Sequence, residues 1–281
     1  MILIADSGST KAEWVILSEE EGPETVFTSG INPFYQDSGQ IVPQLQREFT
    51  SAQKKYDAIY FYGAGCLNQE KGEIVKEALL QFFETSRIFV GSDLLGAARS
   101  LCQEQPGIAC ILGTGSNSCY YNGSEIISHV SPLGFILGDE GSGAVLGKKL
   151  ISDILKNQLP SRVIRSFFES HQTTAAEILE HVYKQPFPSR YLAGYTRFLS
   201  ANIDIPEIEN IVITGFHDFI KRNLMQYTQV HFLPVNFTGS IAFHFKSQLR
   251  KAFEEQKLIL GKTEQSPVSG LIRYHQSRGS I

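Results

Sequence analysis

Ile2-Leu3-Ile4-Ala5 runs directly into Asp6-Ser7-Gly8-Ser9-Thr10-Lys11, and Glu13-Trp14-Val15-Ile16-Leu17 follows. Two β-rich runs on either side of a polar glycine turn predict a hairpin, and a third run over 25–28 completes a meander. Glycine lets the backbone come close to an anion, and consecutive free amides at such a turn form an anion-binding concavity. The arrangement returns further along. A strand expected over 108–112 enters Gly113-Thr114-Gly115-Ser116-Asn117, and two more short strands flank Asn122-Gly123, a strong hairpin signal. Gly138-Asp139-Glu140-Gly141-Ser142-Gly143 and Thr238-Gly239-Ser240 each open a predicted helix. One glycine turn after a strand is usually only a turn. Four of them, each with Ser or Thr beside the glycine, point to a nucleotide.

The rest of the chain reads as alternating helices and strands. Helices are predicted over 40–49, 71–83 (Ile74, Val75, Leu79 and Phe82 on one face), 94–102 and 144–156. Strands are predicted over 58–62 and 88–90. The stretch 160–202 is mostly helical, interrupted near Pro186 and Pro188. A strand over 211–213, then Thr214-Gly215 and a helix from about Asp218, follows. The last strand is expected over 230–235, a long helix over 240–256 and a short one over 268–274. Each half thus begins with a strand, a glycine turn and a second strand. A boundary near Gln105-Pro106-Gly107 divides the chain into 1–105 plus 266–281 and 106–265.

Length and composition narrow the function classes. The chain has 281 residues, 42% hydrophobic and 19% charged, enough for two domains without covalent staples. The net charge of −4 offers no basic field for nucleic acid, so phosphates must be held by backbone amides and a metal. No apolar run approaches the ~20 residues of a spanning helix, and Met1-Ile2-Leu3-Ile4 lacks the pattern of a secretory signal. A cytoplasmic protein with no membrane partner is the expectation. Cys66, Cys102, Cys110 and Cys119 form no CxxC pair and no zinc spacing, so reduced, buried thiols are expected. Two common nucleotide scaffolds fail. Gly261-Lys262-Thr263 lacks the first P-loop glycine, with Gln256 in its place, and neither hairpin turn carries GxGxxG between strand and helix.

Asp6-Ser7-Gly8-Ser9-Thr10-Lys11 resembles the first phosphate loop of the actin, Hsp70 and hexokinase superfamily. The 113–117 loop resembles its second phosphate loop, and Thr238-Gly239-Ser240-Ile241-Ala242 its adenosine motif. More narrowly, Leu137-Gly138-Asp139-Glu140-Gly141-Ser142, and Ser92-Asp93 before Gly96-Ala97-Ala98, are similar to the N-acetylglucosamine kinase branch, which is grouped with the ATPase activators of benzoyl-CoA reductase. The resemblance implies an α/β fold of two ribonuclease H-like domains flanking an ATP cleft, with the terminal helix returning to the first domain. It implies an ATP-dependent kinase acting on the 6-hydroxyl of an amino sugar, N-acetylglucosamine first, with glucosamine or N-acetylmuramic acid as variants. ATP and Mg²⁺ are the implied cofactors, and a homodimer is compatible with it.

The resemblance also implies roles, each with a plainer reading beside it. Asp6 would hold Mg²⁺ through water, or simply end a hairpin. Gly8, Ser9 and Thr10 would cradle phosphate; Lys11 either touches phosphate or is solvated. Gly113, Thr114 and Gly115 would bind ATP, with Thr114 also near the sugar. Gly215, Gly239 and Ser240 would serve the nucleoside. Asp93 would be the catalytic base and a sugar ligand, its plainer reading being a helix N-cap. Asn32, Gly134 and Asp139 would contact the sugar, the first and last alternatively as turn and cap. Glu140 stands between a metal and a capping role. Pro132-Leu133 occupies the place where amino-sugar kinases carry Gly-Trp. Two other classes remain beside the kinase: an ATPase activator holding an iron–sulfur cluster on cysteines, and a non-enzymatic ATP-binding regulator.

Overall fold

The structure, a computed structural model of the chain, describes residues 1–8, 10–18, 22–66 and 68–278. It divides into two units. The first comprises Met1–Pro106, Tyr121–Ile126 and Ser266–Ile281, and the second Gly107–Tyr120 and Ile127–Gln265.

The first unit is built on β1 (Ile2–Ser7), β2 (Lys11–Leu17), β3 (Glu24–Ser29), β4 (Ala58–Gly63) and β5 (Ile88–Ser92), in the order β3-β2-β1-β4-β5. β1 is antiparallel to β2 and parallel to β4, and β4 is parallel to β5. Strand side chains alternate between faces, and here both faces are covered, which is why Ile2-Leu3-Ile4-Ala5 is apolar without interruption. One face packs Leu3, Ala5, Trp14, Ile59 and Phe61 with residues of α1 (Ser38–Glu48) and α2 (Gln69–Phe82). The other packs Ile2, Ile4, Val15, Leu17 and Tyr62 with Val268 and Leu271 of the last helix, α13 (Val268–Ser277). α13 also lies against α3 (Asp93–Cys102).

The second unit repeats the strand order. β6 (Gly107–Leu112), β7 (Ser116–Tyr121), β8 (Ile126–Val130), β9 (Val235–Thr238) and β10 (Leu260–Glu264) lie as β8-β7-β6-β9-β10, with β9 parallel to both β6 and β10. Between β8 and β9 come α4 (Gly134–Leu137), α5 (Gly143–Leu155), α6 (Ser161–His171), α7 (Ala175–Lys184), α8 (Pro188–Gly194), α9 (Thr196–Ala201) and α10 (Pro206–Arg222). α11 (Ser240–His244) and α12 (Lys246–Glu255) separate β9 from β10.

Three sequence expectations are corrected. The stretch 211–213 is helical, within α10, and no helix starts at Asp218. Ile208, Ile211, Val212, Phe216, Phe219 and Ile220 are buried at helical spacing behind Pro206, so tertiary burial overrides the β preference of three branched residues. The strand expected over 230–235 begins only at Val235, and a further strand, β10, follows it. Leu260-Gly261-Lys262-Thr263-Glu264 carries little β signal; its pairing with β9 creates the strand. The helix expected over 240–256 breaks at Phe245 into α11 and α12.

Candidate active site

In the first unit, the hairpin turn after β1 closes with the Gly8 amide donating to the Lys11 carbonyl at 3.0 Å. The Gly8 amide is therefore engaged within the turn. Thr10 is exposed, and Lys11 holds its ammonium 3.6 Å from the Phe27 ring centroid, a cation–π contact at the sheet edge. Ser9 lies outside the described residues. Ser7, which the sequence reading passed over, is fully buried and ties three segments together. Its hydroxyl accepts from the Ile31 amide at 2.9 Å, and its carbonyl accepts from the Ala64 amide at 2.7 Å. This places Ile31-Asn32 and Gly63-Ala64-Gly65 beside the end of β1. Asn32 forms a local turn there, its Oδ1 accepting the Phe34 amide at 3.0 Å. Gly65 has φ +82°, and a Cβ on it would lie 2.2 Å from Asn32 Oδ1, so this contact requires glycine.

Asp6 sits near the end of β1, opposite Glu13 on β2 and Tyr62 on β4. Burial, followed by the nearby Asp93 and Glu13 carboxylates, pushes its pKa up to about 8. Asp93 opens α3 as its first residue. The N-cap is Ser92, whose hydroxyl accepts the Leu95 amide at 3.1 Å, so the capping role considered for Asp93 belongs to its neighbour. Asp93 Oδ1 accepts the Leu94 amide at 2.8 Å. Burial pushes the Asp93 pKa up to about 6, opposed by the amides of Leu94 and of Asp93 itself. A carboxylate with that value is mostly ionised at neutral pH and within reach of protonation just below it.

A buried carboxylate whose proton affinity a neighbouring carboxylate raises, as Asp93 does for Asp6, is a natural place for a cation. Among the described residues no group of three or more His, Cys, Asp or Glu is disposed to hold a metal ion. One or two carboxylates, with water and phosphate completing the shell, is the pattern Mg²⁺ prefers, since it dehydrates reluctantly. Asp6 fits that donor set.

In the second unit, three of the glycine segments converge. Gly113 N–H donates to the Gly115 carbonyl at 2.9 Å, while the carbonyls of Gly113 and Thr114 accept the amides of Gly143 and Ala144 at 2.8 and 3.0 Å. Gly239, at φ +115°, lies so close to β6 that an added Cβ would be 2.3 Å from the Leu112 carbonyl oxygen. The 238–240 turn and the 113–117 loop are thus in backbone contact, with Ser240 exposed at the start of α11. Asp139 adopts a left-handed φ of +55°, and its Oδ1 accepts the Ser116 amide at 3.2 Å. A Cβ on Gly115 would sit 3.1 Å from Asp139 Oδ2. The residue expected at the sugar and the loop expected at the phosphates therefore touch. Burial raises the Asp139 pKa, opposed by the Ser116 amide, with Glu140 adding to the rise.

Two further expected site residues border this cluster: the Gly134 carbonyl accepts the Gly138 amide at 2.7 Å, and Gly215 lies against Gly141. Gly215 is inside α10, where an added Cβ would meet Leu146 Cδ2 at 2.5 Å, so helix packing accounts for this glycine. Gly134 begins the short helix α4 with φ +73° and open space around it. Pro132 contributes its carbonyl, which accepts the Asp139 amide at 2.8 Å. Cys66, Cys102, Cys110 and Cys119 are all buried, with no disulfide among the described residues, and burial followed by Asp93 pushes Cys66 up to about 12.

No helix among the described residues is long and apolar enough to cross a membrane. No family model matches the chain. Over 198 residues, 66% of this chain, it is 24% identical to the N-acetylmuramic acid/N-acetylglucosamine kinase of Clostridium acetobutylicum; the match spans 63% of that relative's length. The crystal structure of a Chromobacterium violaceum protein assigned as an N-acetylglucosamine kinase has the same fold, with a TM-score of 0.72 at 18% identity over 97% of this chain and 98% of that one. A Porphyromonas gingivalis protein with the same assignment superposes with a TM-score of 0.96 at 47% identity, over 99% of this chain and 100% of that one. With that identity over the full length of both chains, the chain belongs to the N-acetylglucosamine kinase-like family.

Proposed function

We propose that the protein is an ATP-dependent kinase that phosphorylates the 6-hydroxyl of an amino sugar, with N-acetylglucosamine as the first substrate to test and glucosamine and N-acetylmuramic acid next. The observation that carries this reading is Asp93. It is a buried carboxylate at the head of α3, freed from capping by Ser92 and poised at about 6, with a second carboxylate, Asp6, close enough to raise its own proton affinity. Relatives named as N-acetylglucosamine and N-acetylmuramic acid/N-acetylglucosamine kinases support the substrate class.

In this reading Asp93 accepts the proton of the sugar 6-hydroxyl as that oxygen bonds to the γ-phosphorus of ATP and the bond to the β–γ bridging oxygen breaks, releasing ADP. Phosphoryl transfer asks little covalent chemistry of a protein; positioning and neutralisation of charge provide most of the rate. Asp6 would hold Mg²⁺ through water, and the ion would supply charge neutralisation at the phosphates. Residues 8–11 (Gly8, Ser9, Thr10 and Lys11) with Gly113, Thr114 and Gly115 serve the phosphates, and Gly239 and Ser240 the nucleoside, with Gly215 contributing only the small residue that lets α10 pack on Leu146. Asn32, Gly134, Thr114 and Asp139 serve the sugar together with Asp93. Lys11, held over Phe27, would have to leave that ring to reach a phosphate.

A coupled assay of ADP release over a panel of amino sugars with Mg·ATP tests the proposal, with the 6-deoxy analogue of the best substrate as control. Sugar-dependent turnover that the 6-deoxy analogue abolishes is expected. Absence of sugar-dependent ADP release across the panel refutes it.

A further inference from the structure

Glu140 has a structural position that neither of its sequence-level roles anticipates. Its Oε1 lies 2.5 Å from Arg222 Nε, and its Oε2 accepts the Asn223 side-chain amide at 3.1 Å. Arg222 is the last residue of α10 and Asn223 its C-cap. Both edges of the carboxylate are thus held by the C-terminal end of one helix, and its side chain is only 14% exposed. A charge-assisted pair of this kind, with a second hydrogen bond closing it, fixes direction as well as distance.

The flanking residues show what is being fixed. Asp139 before it has φ +55°, a region that non-glycine residues enter rarely and hold only when their surroundings enforce it. Gly141 after it has φ +70° and lies against α10: an added Cβ would be 3.1 Å from Phe219 Cβ and 3.3 Å from the Gly215 carbonyl oxygen. The three residues are pinned to α10 by the Glu140 carboxylate and by the missing side chain of Gly141. The consequence reaches the 113–117 loop through Asp139, whose Oδ1 takes the Ser116 amide.

We propose that Glu140, gripped by Arg222 and Asn223, is a positioning residue that holds Asp139 in its left-handed conformation with the carboxylate against the second phosphate loop, and so sets the affinity for the sugar. The inference rests on the reading of Asp139 as a sugar ligand given above. It places Glu140 in neither a metal shell nor a helix cap, and gives the C-terminus of α10, remote in sequence from both the 113–117 and 138–143 segments, a part in substrate recognition.

The test uses Arg222→Ala, whose side chain is 58% exposed and whose loss leaves the core intact, beside Glu140→Gln and the conservative Arg222→Lys. Losing one partner of a charged hydrogen bond predicts a rise in the KM for N-acetylglucosamine of about 10-fold in Arg222→Ala, with kcat and the KM for ATP within about 3-fold of wild type. Arg222→Lys is expected to recover most of the difference, and Glu140→Gln to resemble Arg222→Ala. Independently of any turnover, amide hydrogen exchange at Ser116 and over 139–141 is expected to quicken about 10-fold in Arg222→Ala. Unchanged exchange at Ser116 overturns the positioning role. Faster exchange with an unchanged sugar KM overturns its link to affinity, as does an equal change in the KM values for sugar and ATP. If the wild type turns over no sugar at all, the kinase reading fails, while the exchange experiment still judges whether Glu140 holds Asp139.

Discussion

Replacing Asp93 by Asn separates catalysis from stability because the two should move in opposite directions. The carboxylate has an ordinary value of 3.8 and is raised to about 6 by burial. At pH 7 or above its ionised form therefore destabilises the unliganded fold by up to about 3 kcal/mol, roughly two pKa units at 1.36 kcal/mol each. Asn is nearly isosteric, carries no charge and keeps an oxygen for the Leu94 amide now bound at 2.8 Å. Ser92, the N-cap, is untouched. The variant should gain between about 1 and 3 kcal/mol, which raises Tm by several degrees at about 2–4 °C per kcal/mol. A positioned general base contributes about 10²–10⁴-fold, so kcat should fall by that factor. The wild-type kcat/KM should also decline below about pH 6 as the base is protonated, and that acid limb should vanish in the variant. Thermal melts of the unliganded proteins at pH 7.5, beside kcat over pH 5–9, decide the matter. A lower or unchanged Tm refutes the burial argument. Near-normal turnover in a folded variant removes Asp93 from the chemistry.

The remaining predictions concern glycine geometry, acid stability and thiols. Gly239→Ala should destabilise the protein by more than about 2 kcal/mol and raise the KM for ATP, because its Cβ would collide with the Leu112 carbonyl; Gly134→Ala, with positive φ but open space, should lose only about 1 kcal/mol. Urea titrations of the two variants check this, and equal losses contradict it. His275 is 3% exposed, hydrogen-bonded to the Tyr62 hydroxyl at 2.9 Å, and lowered by burial and then by Arg99 and Arg278 to about 4 from an ordinary 6.5. The folded state binds fewer protons here than the unfolded state, so the contribution is fully present above pH 6.5 and is lost as pH falls from 6.5 to 4, by up to about 3 kcal/mol. Unfolding free energies of wild type and His275→Gln across that window should converge at the acid end, and parallel curves refute the assignment. Changing all four cysteines to Ala should leave kcat within about 2-fold, at some expense in stability because all four are buried. Loss of turnover with the fold retained would favour the activator class instead.

The first hairpin was legible because its signal is local: apolar runs covered on both faces, a polar turn, and a β-branched return strand. The same holds for residues 107–130, where Asn122-Gly123 marks the turn and Gly123 indeed takes φ +102°. What could not be read depends on remote partners. Ile211-Val212-Ile213 is locally ambiguous, and only the burial of α10 makes it helical. β10 exists because β9 offers an edge. Ser7 looks like a linker in sequence, yet its hydroxyl brings the Asn32 segment to the end of β1. Gly215 carries a glycine that suggests a turn but serves contact with Leu146. The glycine motifs were visible as motifs; that Asp139 leans on Ser116 and Gly115 was not, since no spacing encodes it.

The assignment of α13 to the first unit has a consequence for how the chain is made. Synthesis delivers β1, β2 and β4 early, but the face bearing Ile2, Ile4, Val15, Leu17 and Tyr62 is completed by Val268 and Leu271, which emerge only after the whole second unit. At about 5–20 residues per second, the interval between the end of the first 106 residues and the arrival of α13 is roughly ten to thirty seconds. During that interval a strongly apolar sheet surface stands bare on the nascent chain, while every segment of the second unit emerges ahead of the final helix. The N-terminal unit is therefore the natural client for a holding chaperone, and a chain that loses its last turns of helix would keep that surface uncovered for its whole lifetime.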